Sequence, residues 1–402
     1  MRKELDILES NIENIYPSKE ALLRKLQSDN KLKVYLGIDA TSPEIHIGHA
    51  VALWKLRRFQ DAGQKVILLV GDFTGMIGDP SDKTAVRKKL SREEVLENAH
   101  QFKSQASRIL NFSGKNPAGL EFNSRWLSKL SLEDLIELAG NFTVQQLIER
   151  DMFRKRLTER RPIGLHEFLY PILQGYDSVA LDVDVEIGGS DQTFNMLIGR
   201  QLLKTLKNKE KFVISLPLLP GTNGKKMSKS ENNIIGTEES PNEMYGKVMS
   251  LRDELTTKYF KLCTLLSKDE VTKIEEELAE NKKNTMEAKK RLAFEIVKLY
   301  HGEKVAFAAQ NEFVNVFQKG ARSSNVVVVE KPRSILPTSY AKVATISGGT
   351  KSISEAIRLA ENKGLKIDGK SINNAREKLV EPAGDETIID IGKRKSIKII
   401  WS

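Results

Sequence analysis

The sequence predicts an α/β protein built on a Rossmann-like, doubly wound parallel sheet, followed by an α-helical domain and a small α+β domain. Three observations carry this prediction. Apolar runs of strand length alternate with helical periodicity over roughly the first 235 residues; charged amphipathic helices take over near residue 240; a short basic module with its own strand and helix pattern closes the chain.

The elements follow in order. Residues 1–32 read as helical, with Leu5, Leu8, Ile12 and Ile15 three and four apart, and Ser18 is a good N-cap for a short helix after Pro17. Residues 33–39 have the apolar character of a buried strand, 47–62 are helical up to Ala62-Gly63, and 66–70 form the continuous apolar run of a central parallel strand. Strand, helix, strand makes a βαβ unit, whose crossover is right-handed. A helix at 91–110, several between 130 and 181, and strands near 183–187 and 212–216 continue the alternation. Helices are then expected at 270–279, 285–307 and 309–317, and a short strand at 326–329. The closing module reads as helix 352–360, strand 365–369, helix 373–379, and strands 387–391 and 397–401. The implied boundaries are 1–235 for the sheet domain, 236–322 for the helical domain, 323–338 for a linker and 339–402 for the basic module.

Composition narrows the function classes. Of 402 residues, 40% are hydrophobic and 29% charged, the balance of a soluble globular protein. No apolar run is long enough to span a bilayer, and the charged start Met1-Arg2-Lys3-Glu4 lacks the apolar core of a signal peptide, so a cytoplasmic location is expected. Cys263 is the sole cysteine and there are five histidines, which leaves no internal disulfide and little material for a metal site; none is expected. The net charge of +10 makes polyanions plausible partners.

Two short motifs carry the chemistry. His46-Ile47-Gly48-His49 falls where the first strand turns into its helix. A helix N-terminus offers free N–H groups and partial positive charge to an anion, and Gly48 removes a side chain where a nucleotide approaches. Histidines aimed at phosphate oxygens stabilise charge that grows in the transition state. Far along the chain, Lys226-Met227-Ser228-Lys229-Ser230 lies in a polar, basic loop, whose lysines suit a pyrophosphate leaving group. Together the motifs point to ATP-driven activation of a carboxylic acid.

These motifs, with Tyr35-Leu36-Gly37-Ile38-Asp39, Gly71-Asp72-Phe73-Thr74-Gly75-Met76-Ile77-Gly78-Asp79-Pro80-Ser81, Tyr170-Pro171-Ile172-Leu173-Gln174-Gly175-Tyr176-Asp177 and Gly188-Gly189-Ser190-Asp191-Gln192, stand in an order and spacing that resembles the class I aminoacyl-tRNA synthetases, within them the bacterial tyrosine-specific branch. The resemblance implies tyrosine activation by ATP to tyrosyl-adenylate and transfer to tRNA(Tyr), with His46, His49, Lys226 and Lys229 catalytic. It implies that Tyr35 and Asp177 bond the substrate phenol, that Tyr170, Gln174 and Asp79 hold its ammonium, and that Gln192, with Asn123 beside it, meets the carboxyl end. Gly37, Asp39, Thr41, Gly48, Gly189 and Asp191 fall around the adenosine and ribose, with Met227, Ser228 and Ser230 in the ATP loop. Lys83 and Arg87 match positions for phosphate or tRNA contact, although Asp82 stands where the family usually has glycine. No permanently bound cofactor is implied; ATP is a substrate and Mg²⁺ accompanies it. A homodimer is implied as well.

A phenol hydroxyl both donates and accepts, which suits a carboxylate with a tyrosine, whereas an indole only donates. This separates tyrosine from tryptophan activation, the nearest alternative; a small nucleotidyltransferase and a non-catalytic RNA-binding protein are others. From Ser339 to Ser402 there are twelve Lys or Arg against eight Asp or Glu. This module resembles the αL-type RNA-binding domain of a ribosomal small-subunit protein and some pseudouridine synthases, with Lys351, Arg358, Lys363, Lys366, Lys370 and Arg376 as the expected RNA contacts.

Overall fold

The computed structural model describes residues 7–28, 30–41, 44–79, 91–227, 231–280, 284–318, 326–382, 384–392 and 395–402. The chain divides into two compact units, Met1–Ser240 with Lys247–Tyr300, and Pro241–Gly246 with His301–Ser402.

The first unit is organised by a six-stranded sheet. Its strands are β1 (Asn14–Tyr16), β2 (Lys33–Asp39), β3 (Lys65–Gly71), β4 (Gly119–Phe122), β5 (Val185–Gly189) and β6 (Phe212–Leu216), in the order β1-β6-β5-β2-β3-β4. All neighbours run parallel except β1, which pairs antiparallel with β6. Valine, isoleucine and leucine fill the inner strands because both faces are covered. The crossover helices used below are α1 (Ile47–Asp61), α2 (Arg92–Ala106), α3 (Leu165–Leu181) and α4 (Thr193–Lys207). Helices α3 and α4 lie against one another through Ile172, Val179, Ile198 and Leu202. The chain moves outward from β2 to β3 and β4 on one side, and to β5 and β6 on the other. The crevice between the carboxyl ends of β2 and β5 is therefore the topological switch point, where such sheets bind ligands.

Two strands differ from expectation. Residues 14–16 form β1 rather than helix: the spacing of Ile12 and Ile15 mimics a helical stripe, but Ile15 pairs with Ile214. Strand β4 had no sequence signal, being four residues long and only half-buried.

Three further helices complete the first unit's C-terminal part: α5 (Thr256–Cys263), α6 (Lys268–Ala279) and α7 (Thr285–His301), the last ending at the unit boundary. The long helix expected at 285–307 is in fact two. Gly302, at φ +86°, ends α7, and α8 (Glu303–Gln318) starts immediately after it.

In the second unit, β7 (Val326–Lys331), β8 (Leu365–Ile367), β9 (Lys370–Ser371), β10 (Glu386–Ile391) and β11 (Lys395–Trp401) form a sheet in the order β9-β8-β10-β11-β7. Helices α9 (Tyr340–Ile346) and α10 (Ile353–Glu361) close a core with Ala341, Val343, Ala356, Ala360, Leu365, Ile389, Ile399 and Trp401. The helix expected at 373–379 is absent. The Asn374 side chain accepts from the Arg376 amide at 3.1 Å, a local bond that competes with helix, and Lys378–Leu379 instead pairs with Thr338–Ser339.

Candidate active site

A cavity of about 550 Å³ opens at the switch point. Tyr35, Gly37, Asp39, Thr41, His46, Gly48, His49, Asp79, Asn123, Tyr170, Gln174, Asp177, Gly189, Asp191, Gln192, Lys226 and Met227 all line it, which is every described residue expected at the tyrosine and ATP sites; the six expected RNA contacts lie elsewhere, in the C-terminal module. Ser228, Lys229, Ser230, Lys83 and Arg87 lie outside the described residues, as does Asp82.

The two motifs meet at one wall. His46 is the N-cap of α1, in extended backbone, and its ring stacks on His49 with centroids 3.8 Å apart. The His46 amide donates to His49 Nδ1 at 3.4 Å, and burial pushes the His49 imidazole down to about 4. His49 is therefore neutral near pH 7 with its proton on Nε2, a donor. A Cβ on Gly48 would sit 2.9 Å from His46 Nδ1 and 3.3 Å from Met227 Sδ. The missing side chain thus makes room for the motif's own histidine and for the second motif, a reason the sequence alone did not show.

The loop carrying Lys226 is tied at its base. Gly221 N donates to the Lys225 carbonyl at 2.7 Å, Gly224 turns the chain at φ +81°, and Asn233 Nδ2 donates to the Lys226 carbonyl at 3.0 Å. Lys226 Nζ then reaches Asp191 Oδ2 at 3.2 Å. Burial, with Asp79 adding to it, pushes Asp191 up to about 6; burial also lowers Lys226, opposed by Asp79.

The inner end is built from buried polar groups. Asp177 accepts from Trp126 Nε1 at 2.7 Å and from Asn123 Nδ2 at 3.2 Å. Burial raises its carboxyl well above the usual carboxylate range, and those two bonds act against the rise. The Asn123 carbonyl accepts from Phe73 N at 2.9 Å, so its amide is fixed toward Asp177 and Thr74. The Tyr35 hydroxyl lies 2.8 Å from Ser178 Oγ. Burial keeps both Tyr35 and Tyr170 protonated. Tyr170 donates to Asp39 Oδ2 at 2.7 Å, and Thr74 donates to Asp39 Oδ1 at 2.7 Å. Gln192 Nε2 donates to Asp79, Asn195 Nδ2 donates to Gln174 and Gln192, and Arg150 stands 3.9 Å from Asp79.

Four groups here escaped sequence reasoning. Trp126 and Arg150 gave no signal, because only the fold brings them to Asp177 and Asp79. Glu186 and Lys211 did leave one: a glutamate inside a strand with Val185 and Ile187 on either side has to be paired, and Lys211 pairs it.

The pattern of class I tRNA synthetases for tryptophan and tyrosine (W and Y) matches residues 27–318. The tyrosine–tRNA ligase of Haemophilus influenzae is 46% identical over 385 residues, covering 95% of this chain and 93% of its own length. The chain belongs to the tyrosine–tRNA ligase family. A second family member, from Haemophilus ducreyi, is 45% identical over 395 residues, 98% of this chain and 96% of its own. Among solved structures, a C-terminally truncated mitochondrial tyrosyl-tRNA synthetase of Aspergillus nidulans superposes with a TM-score of 0.66 at 23% identity, over 79% of this chain and 95% of that one, which shows the shared fold.

Proposed function

We propose that the protein joins L-tyrosine to tRNA(Tyr) in two steps at this cavity. The tyrosine carboxylate attacks the α-phosphate of ATP in line; the new P–O bond forms as the bond to the β-phosphate oxygen breaks, giving tyrosyl-adenylate and pyrophosphate. A terminal ribose hydroxyl of tRNA then takes the tyrosyl group and AMP leaves. No side chain acts as covalent nucleophile; the residues position the reactants and answer the charge that develops.

The observation that carries this reading is the convergence, in one cavity, of a buried polar end that holds Tyr35 and Asp177 with the wall on which the two motifs meet. The substrate hydroxyl bonds Tyr35 and Asp177, its ammonium lies against Tyr170, Gln174 and Asp79, and Gln192 faces its carboxyl end. Gly37, Asp39, Thr41, Gly48, Gly189, Asp191 and Met227 border the nucleotide. Neutral His49, with His46, donates to phosphate oxygens, and Lys226 leaves Asp191 for the leaving pyrophosphate; Lys229 acts beside it, within the Ser228–Ser230 segment. Mg²⁺ enters with the triphosphate as part of the substrate.

The remaining assignments extend this reading. The C-terminal module grips tRNA: Lys351, Arg358, Lys363, Lys366, Lys370 and Arg376 are all exposed. The enzyme works in the cytoplasm as a homodimer, a reading supported by Leu132, Ile136, Val144, Leu157 and Leu165, which stay exposed on successive helices of the first unit. Amino-acid-dependent exchange of pyrophosphate into ATP tests the specificity. Tyrosine supports exchange; exchange with tryptophan and none with tyrosine would overturn it.

A further inference from the structure

A buried charged pair stands at the inner wall of the cavity, Glu186 lining it and Lys211 behind. Glu186, at the second position of β5, and Lys211, just before β6, touch directly, with side chains 3% and 0% exposed. Ions this deep are costly to strip of water and persist where each is paired and hydrogen-bonded. Lys211 Nζ also donates to Ser178 Oγ at 2.8 Å, and Ser178 Oγ in turn lies 2.8 Å from the Tyr35 hydroxyl. Tyr35 and Asp177 line the cavity; Ser178 and Lys211 stand behind them.

Following the protons gives the pair a role. An ammonium only donates, so Ser178 must accept from Lys211. Ser178 then sends its own proton either to Tyr35 at 2.8 Å or to Glu186 at 3.4 Å, and the shorter path leads to Tyr35. Accepting from a cation makes the serine hydroxyl a stronger donor, which favours the same direction. A Tyr35 oxygen that accepts from Ser178 keeps its own proton for one of two acceptors, the Glu186 carboxylate beside it or a phenol oxygen in the cavity. Asp177, already held by Trp126 and Asn123, is the acceptor on the other side.

We propose that Lys211 and Ser178 are positioning residues for tyrosine selection, which orient the Tyr35 hydroxyl so that the cavity offers the phenol one donor and one acceptor. The inference rests on the tyrosine reading above. When the substrate is bound, hydrogen bonds run in one direction from Lys211 through Ser178, Tyr35 and the phenol to Asp177. Burial lowers the pKa of the Lys211 ammonium and the adjoining Glu186 carboxylate opposes that fall; the second Glu186 oxygen lies 3.5 Å from Gln174 Nε2, on the ammonium side. Phenylalanine leaves unused the donor of Tyr35 and the acceptor position of Asp177 that face the phenol.

The test is pyrophosphate exchange by the full-length protein with tyrosine and with phenylalanine. Ser178→Ala removes the relay and keeps the Lys211–Glu186 pair; Lys211→Met combined with Glu186→Gln removes the relay's source without leaving a lone buried charge. Each variant is expected to raise the KM for tyrosine about tenfold, to lower the tyrosine-to-phenylalanine ratio of kcat/KM by a similar factor, and to leave the KM for ATP unchanged. An unchanged ratio in either variant, with an active wild type, would overturn the inference alone, as would equal rises in both KM values. No tyrosine-dependent exchange by the wild type would overturn the reading of function, and this inference with it.

Discussion

Asp177 illustrates how a single carboxylate takes on a selective task. Burial raises its carboxyl well above the usual carboxylate range; its two fixed donors, Trp126 and Asn123, act against that rise and hold its oxygens in place at the inner end of the cavity. Asp177→Asn is expected to raise the KM for tyrosine about ten- to a hundredfold while the KM for ATP stays put, measured by pyrophosphate exchange; equal losses would argue against the phenol role. His49 carries a pH prediction. Burial holds its folded pKa at about 4, below the ordinary 6.5, so between those values the unfolded chain binds a proton that the folded chain refuses. Stability from this group is present above 6.5 and falls by up to about tenfold in the folding equilibrium per pH unit as acid is added toward 4. His49→Gln should flatten that part of a pH–denaturation profile, and an unaltered slope would contradict the assignment. The candidate residues on the cavity wall were legible in sequence because their motifs keep a fixed spacing. Trp126 and Arg150 were not, since contacts across the fold leave no local pattern.

Among the elements, β2, β5 and α1 do most to place the site. The apolar runs 33–39 and 66–70 and the helix between them were readable because a parallel strand covered on both faces has no other composition open to it. Short or edge elements were harder. Three-residue β1 follows a pattern that also fits a helix, and half-buried β4 lacks an apolar run. The turn around Asn374 was misread as helix because its side-chain bond depends on local geometry that composition does not fix. At the junction of α1 with the basic loop, Gly48→Ala would drive a methyl into His46 and Met227. The expected result is a kcat for activation lower by about tenfold or more with the KM for tyrosine little changed, read from initial rates; an unimpaired variant would mean that the two motifs tolerate a looser junction. The exposed Leu132 and Ile136 belong to one amphipathic helix, Leu132–Ala139. For the homodimer proposed above, changing both to Asp should shift sedimentation from dimer to monomer; a variant that remains dimeric would place the interface elsewhere, and an unaltered protein that sediments as a monomer would overturn the dimer proposal.

For the whole molecule, the excess positive charge of +10 finds a use in a polyanionic partner. Replacing Lys351, Arg358, Lys366 and Lys370 together by Glu is expected to raise the KM for tRNA by at least about tenfold in aminoacylation and to leave tyrosine-dependent exchange intact. Equal loss of both activities would mean a folding defect or a different RNA surface. The central claim, however, concerns one cavity shaped for an aromatic hydroxyl at its inner end and a nucleotide across its mouth. A crystal structure with L-tyrosine tests it most directly. The account predicts the phenol oxygen within about 3 Å of both the Tyr35 hydroxyl and an Asp177 oxygen, with the ammonium beside Tyr170 and Gln174. A ring lodged elsewhere, or a phenol oxygen far from both partners, would contradict it.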